Sequence, residues 1–152
     1  MPLFLVQHGK NLPKDIDLEK GLSGEGKQEV EQVAASALKH KVSVRAIRHS
    51  GKKRALETAE IFARSLNPED GVQKMEGLGP LDDVTKLDLQ EEDSLMLVGH
   101  LPFMENLTSY LITRSSDREP VIKFQNGGIV CLERNPKADL WFIKWVLFPH
   151  ID

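Results

Sequence analysis

Two histidines and one arginine stand where this sequence could do phosphoryl chemistry. His8 directly follows the apolar run Leu3-Phe4-Leu5-Val6-Gln7 and precedes Gly9. A neutral imidazole held at such a strand end could attack phosphorus and carry the phosphoryl group covalently. Gly9 would let the chain turn sharply and let the backbone approach a ligand. His100 repeats the pattern, after Leu95-Met96-Leu97-Val98-Gly99 and before Leu101-Pro102. A protonated His100 could bond a phosphoryl oxygen, and the N–H groups at the helix start near Leu101 favour an anion. Arg54 lies just beyond Ser50-Gly51, and a guanidinium matches phosphate oxygens as a two-pronged fork. Each residue has an ordinary reading when taken alone: a histidine bonded to a nearby carbonyl, or a solvated arginine beside Lys52 and Lys53. Three together, each at a strand end, are a stronger signal.

The surrounding pattern predicts the elements that would hold them. Leu3 to Gln7 reads as a buried strand. Residues 10–22, with Pro13 and several charges, read as a loop. Ser23 can cap a helix whose apolar stripe is Val30, Val33, Ala34, Ala37 and Leu38. Val42 to Ile47 is a second strand, broken by Ser50-Gly51. Ala55, Ala59, Phe62, Ala63 and Leu66 then mark a helix closed by Asn67-Pro68. Glycines and Pro80 make residues 70–92 loop-rich, with a short helix over 82–89. Leu95 to Val98 is a third buried strand, and Pro102 suits the first turn of a helix lined by Phe103, Leu107, Tyr110 and Leu111. Val121–Phe124, Gly128–Glu133 and Leu140–Leu147 read as later strands, the last two joined near Asn135-Pro136. Trp141, Phe142 and Trp145 are expected in the core. Strands alternating with helices imply a three-layer α/β/α sandwich, a mostly parallel sheet with a C-terminal antiparallel hairpin. Such sheets place ligands beyond the carboxyl ends of their strands.

Composition narrows the classes. The chain has 152 residues and a formal net charge of −3, so one domain over 1–152 is expected, with no global basic field for nucleic acid or membrane. Cys131 is the only cysteine, which excludes an intrachain disulfide and a cysteine-rich metal site. No run is long and apolar enough for a membrane span. The expected location is the cytoplasm.

The ordered motifs resemble the histidine phosphatase superfamily, which has the phosphoglycerate mutase-like fold. Leu5-Val6-Gln7-His8-Gly9 is similar to its Arg-His-Gly signature. The run Ser50 to Ala59 is similar to its Ser-Pro-x-x-Arg-Ala-x-x-Thr-Ala block. Gly99-His100-Leu101-Pro102 resembles the third block as it reads in the short SixA-type branch, and Leu22-Ser23-x-x-Gly26 that branch's helix entry. The resemblance implies His8 as nucleophile, Arg54 as phosphate clamp and His100 as the second histidine that stabilises the transferring group. Gln7 and Leu101 would contact the substrate, and no metal or cofactor is implied. The lack of a large cap favours phosphohistidine phosphatases, whose substrate is a phosphorylated protein, over mutases and phytases.

Gln7 departs from the pattern, standing where the family has arginine and keeping hydrogen-bond donors without the charge. Lys10 is a candidate to compensate. Glu76, Asp82 and Asp83 are the candidate general acids, a role that a phosphohistidine substrate needs less than an alkyl phosphate. Three readings follow: a phosphohistidine phosphatase, a phosphatase for a small phosphate ester, and a weakly catalytic protein that binds phosphorylated ligands.

Overall fold

The computed structural model describes residues 2–89, 93–115 and 119–151. Its centre is a six-stranded sheet in the order β3-β2-β4-β1-β5-β6. The strands are β1 (Pro2–Gln7), β2 (Ala46–His49), β3 (Val72–Lys74), β4 (Leu95–Gly99), β5 (Ile129–Asn135) and β6 (Leu140–Leu147). β1 to β4 run parallel, whereas β5 is antiparallel to both β1 and β6. This is the expected sandwich with its C-terminal hairpin.

β1 and β4 are apolar at nearly every position because helices cover both faces of the sheet. Phe4 and Val6 join Met96, Val98 and Ile129 in a core packed by α1 (Gly24–Lys39) and α2 (Lys53–Leu66). Leu3 and Leu5, one residue out of phase, join Leu95, Leu97 and Val130 in a second core under α3 (Phe103–Thr113). Ser23 caps α1 as expected, accepting from the Gly26 N–H at 3.0 Å. Asn67 ends α2 in a left-handed conformation, φ 47°. No helix among the described residues is long and apolar enough to cross a membrane.

Several elements differ from the sequence expectation. Residues 121–124 form no strand: the Val121 N–H donates to Ser109 Oγ and the Phe124 N–H to Glu105 Oε2. Side chains of α3 thus take the bonds a ladder would have used. The second strand begins at Ala46, since Lys41 has φ 60° and Val44 enters the core from irregular backbone. The expected helix over 82–89 is only a 3₁₀ turn, Val84–Lys86, and β3 was not anticipated. Leu38 lies off the buried stripe, 55% exposed, as does Phe142 at 45%. A bulge beside Cys131 and Leu132 shifts the β6 register. Trp141 therefore packs on the second core and Trp145 on the first, both half-buried.

One close approach ties the fold to the strand ends. A Cβ on Gly26 would stand 2.0 Å from the Lys10 carbonyl oxygen, so only glycine lets α1 lie against the loop after β1. Gly24, two residues earlier, has nothing within 4 Å. Gly26→Ala is expected to lower stability by about 1–3 kcal/mol, as overpacking against backbone does. Gly24→Ala should leave it near the native value, with urea unfolding as the measurement for both.

Candidate active site

The site forms where β1 and β4 end together. Gln7 pairs with Gly99 in the parallel ladder, so the next residues, His8 and His100, emerge side by side. Their ring centroids are 5.1 Å apart with a 53° tilt, and the His8 N–H donates to the Gly99 carbonyl at 2.9 Å. Both are buried, His8 at 8% exposure and His100 at 1%.

His8 is fixed in one tautomer. Its Nδ1 lies 2.7 Å from the Gly9 carbonyl oxygen, which can only accept, so Nδ1 carries the proton and Nε2 of the neutral ring keeps its lone pair. The backbone around it is clasped from two sides. The Gly9 N–H donates to Thr58 Oγ1 at 2.9 Å, and that hydroxyl donates to the Arg54 carbonyl at 2.7 Å. Asn126 Nδ2 donates to the His8 carbonyl at 3.0 Å, and the Gly127 N–H to the Gln7 carbonyl at 2.9 Å.

His100 Nε2 shares a 2.6 Å hydrogen bond with Ser50 Oγ, reaching across from the end of β2. Arg54 sits half-buried in the first turn of α2. That helix has no side-chain cap and no acidic residue in its first turn, and α3, after Pro102, also lacks a side-chain cap. Helix starts left open in this way favour an anion. Leu101 packs its side chain against the second core, so what it can offer the site is its main chain.

Among the described residues three buried side-chain polar atoms have no hydrogen-bond partner, and two of them belong to the strand ends: Gln7 Oε1 and His100 Nδ1, the third being Glu29 Oε1. Gln7 is only 9% exposed. An unsatisfied buried donor or acceptor costs about 1–3 kcal/mol.

Arg54 acts on both imidazoles and Lys52 on His100, each disfavouring the protonated ring. Burial lowers the His8 pKa, the Gly9 bond opposes that, and Arg54 lowers it further. Burial is also the main cause for His100, joined by His8, Arg54 and Lys52, which bring it to about 3. No carboxylate bonds to His8, Arg54 or His100 among the described residues. In the free protein His100 is therefore neutral near pH 7; an arriving anion would favour its protonation.

The remaining candidates are engaged in contacts of their own. Lys10 pairs with Glu25 at 2.9 Å and Glu29 at 3.5 Å, so its charge is committed and it does not compensate for Gln7. Glu76 is exposed and pairs with Lys74. Asp82 accepts from the Gly79 N–H, while Asp83 caps the 3₁₀ turn through Thr85. The Thr85 bonds lower the Asp83 pKa and hold it as a carboxylate, the wrong form for an acid. Sequence reasoning assigned no role to Ser50, Thr58 or Asn126. Ser50 and Thr58 sit inside the quoted motif, but Asn126 carries no sequence signal, because a loop brings it to His8 from 118 positions away. Among the described residues no group of three or more His, Cys, Asp or Glu side chains could hold a metal ion.

No family model and no curated protein matches the sequence. Solved structures do. The protein histidine phosphatase SixA complexed with tungstate is 22% identical, with a TM-score of 0.82 over 98% of this chain and 97% of that one. The fold is that of the histidine phosphatases. A protein from Agrobacterium tumefaciens assigned as a SixA phosphohistidine phosphatase is 23% identical, with a TM-score of 0.76 over 96% of each chain. The α-ribazole phosphatase from Shigella flexneri is 15% identical, with a TM-score of 0.70 over all of this chain and 98% of the other.

The depressed imidazoles make a stability prediction with a definite sign. In the unfolded chain histidine titrates near 6.5, as the usual value for the free side chain. The folded protein keeps His100 neutral down to about 3. Acidification through this window thus protonates the unfolded state first, and stability falls as pH drops. Urea unfolding from neutrality to about pH 4 should show a smaller loss in His100→Gln than in the native protein.

Proposed function

We propose that this chain is a cytoplasmic phosphohydrolase that works through a phospho-His8 intermediate, with phosphohistidine on a protein as its substrate. The observation that carries this reading is the pinned His8 tautomer. Nδ1–H is held by Gly9, and Nε2 is left as a nucleophile on a ring that neighbours His100, with no carboxylate bonded to it among the described residues. A lone pair so placed needs no base to activate it.

The chemistry runs in two displacements. The phosphoryl oxygens lie against the Arg54 guanidinium and the open helix starts, which stabilise the charge spread over them in the transition state. His8 Nε2 attacks phosphorus, the N–P bond forms, and the bond to the leaving group breaks. Water then attacks phospho-His8, releasing inorganic phosphate and regenerating the neutral imidazole. His100, with Ser50 behind it, is placed to follow the oxygens and can accept a proton once their charge arrives.

A phosphoramidate suits this site better than an alkyl ester. An alkoxide leaving group requires a proton from an acid, and the three candidate carboxylates are each engaged in contacts of their own loop. An imidazole leaving as the neutral ring makes no such demand on a carboxylate. The α-ribazole phosphatase likeness supports the small-ester reading. The neutral Gln7 beside the nucleophile favours weak turnover.

Purified protein is expected to release phosphate from a phosphohistidine peptide faster than from para-nitrophenyl phosphate. His8→Ala should abolish both activities. Arg54→Ala should lower kcat by about 10²–10³, the usual loss for a positioned transition-state donor. Turnover that survives His8→Ala would remove the nucleophile assignment. Phosphate binding without turnover of either substrate would favour the binding-only reading.

A further inference from the structure

A phosphoryl group arriving beside His8 and His100 meets two neutral imidazoles and a single guanidinium. Arg54 is the one arginine whose charge acts on both rings. Gln7, at the end of β1, adds no charge, and Lys10 is held by Glu25 and Glu29 of α1. One cation leaves a phosphoryl dianion short of balance, and the lysines around the start of α2 differ in whether they are free to supply a second.

Lys53 is bonded to Asp17 at 2.9 Å and lies 3.9 Å from Glu19. Lys74, whose stem lies so close to Gly51 that a Cβ there would stand 2.7 Å from its Cε, pairs with Glu76 at 3.4 Å. Lys52 is exposed, and its ammonium pairs with no carboxylate among the described residues. Its main chain is nevertheless fixed at the site. It is the N-cap of α2, two residues before Arg54. Its backbone nitrogen lies 3.4 Å from Ser50 Oγ, the hydroxyl that also bonds His100 Nε2 at 2.6 Å. The Lys52 charge already reaches the His100 ring in the free protein.

We propose that Lys52 is the second cation of this site, an ammonium that folds onto the bound phosphoryl group from the start of α2 and works beside Arg54. The proposal rests on the phosphohydrolase reading and adds a binding residue to it. A flexible four-carbon stem suits the task. Without ligand the ammonium stays in water, where an unpaired charge costs little. A charge fixed at the buried position of Gln7 would be desolvated. Once the anion is bound, Arg54 clamps oxygens through its planar fork, while Lys52 acts as a point charge. Neither displacement consumes that charge, so it serves the transfer to His8 and the transfer to water alike.

Binding of inorganic phosphate to the full chain, measured by calorimetry near pH 7, tests this without relying on turnover. The kcat/KM for a phosphohistidine peptide gives a second reading. Lys52→Ala is expected to weaken phosphate binding about tenfold, roughly the effect of one hydrogen bond to a charged group, and to lower kcat/KM by a similar factor. Lys52→Arg keeps the charge and should stay within about threefold of the native protein. Lys53→Ala removes the same charge one residue on, from an ammonium held by Asp17, and should also stay within about threefold. In a Gln7→Arg background, where a fixed charge enters the site, Lys52→Ala should cost less than it does in the native protein.

Native-like phosphate binding by Lys52→Ala would overturn the proposal and leave the phosphohydrolase reading standing. Where phosphate alone binds too weakly to measure, an unchanged kcat/KM in Lys52→Ala would overturn it equally. Matching losses in Lys52→Ala and Lys53→Ala would mark a general field at the helix start and also overturn it. Failure of the native protein to bind phosphate, together with no turnover, would overturn both readings. Lys52 is an exposed side chain, so its variants are expected to fold, and their comparison stands even if Gln7→Arg does not.

Discussion

The pairing of Gln7 with Gly99 is the constraint on which the site depends. β1 and β4 are neighbours in the middle of the sheet, buried on both faces, and their apolar residues leave the register little freedom. A slip of one residue would move each strand's core side chains to the wrong face. Because the register is locked, two residues 92 positions apart in the sequence leave the sheet at the same level, and their rings meet at 5.1 Å. The His8 N–H bond to the Gly99 carbonyl extends that ladder by one step beyond the strand itself. The two imidazoles at this end of the molecule are therefore positioned by core packing.

The second requirement is electrostatic, and it pulls against stability. Among the described residues no carboxylate bonds to the buried neutral imidazoles or to the half-buried guanidinium beside them, an environment suited to an anion. The free protein tolerates this arrangement by leaving both histidines unprotonated. Such a site stores unsatisfied polar atoms that a purely structural core would not keep.

Much of this was legible in the sequence. The buried strands announced themselves as apolar runs, and each ended in a residue able to do chemistry. His8, Arg54 and His100 could be picked out for that reason, and the layered sheet followed from the alternation of elements. Side chains competing for backbone bonds were not legible. Glu105 and Ser109 take the N–H groups of residues 121–124 and prevent a strand that the apolar pattern predicted. The bulge in β6 was equally invisible and decides which tryptophan meets which core. Lys10 and Asn126 carry the same lesson. The lysine's charge is consumed by α1, and the asparagine reaches His8 only because the chain returns beside β1 at its far end.

The central claim is that His8 Nε2 carries the phosphoryl group between the two displacements. It is tested most directly by quenching the enzyme within its first turnover of a phosphohistidine peptide and mapping the attached phosphate by mass spectrometry under conditions that preserve phosphoramidates. The account predicts a phosphoryl group on His8, base-stable and acid-labile, that disappears as free phosphate is released. Phosphate release without any modified His8, or a phosphoryl group on another residue, would contradict it.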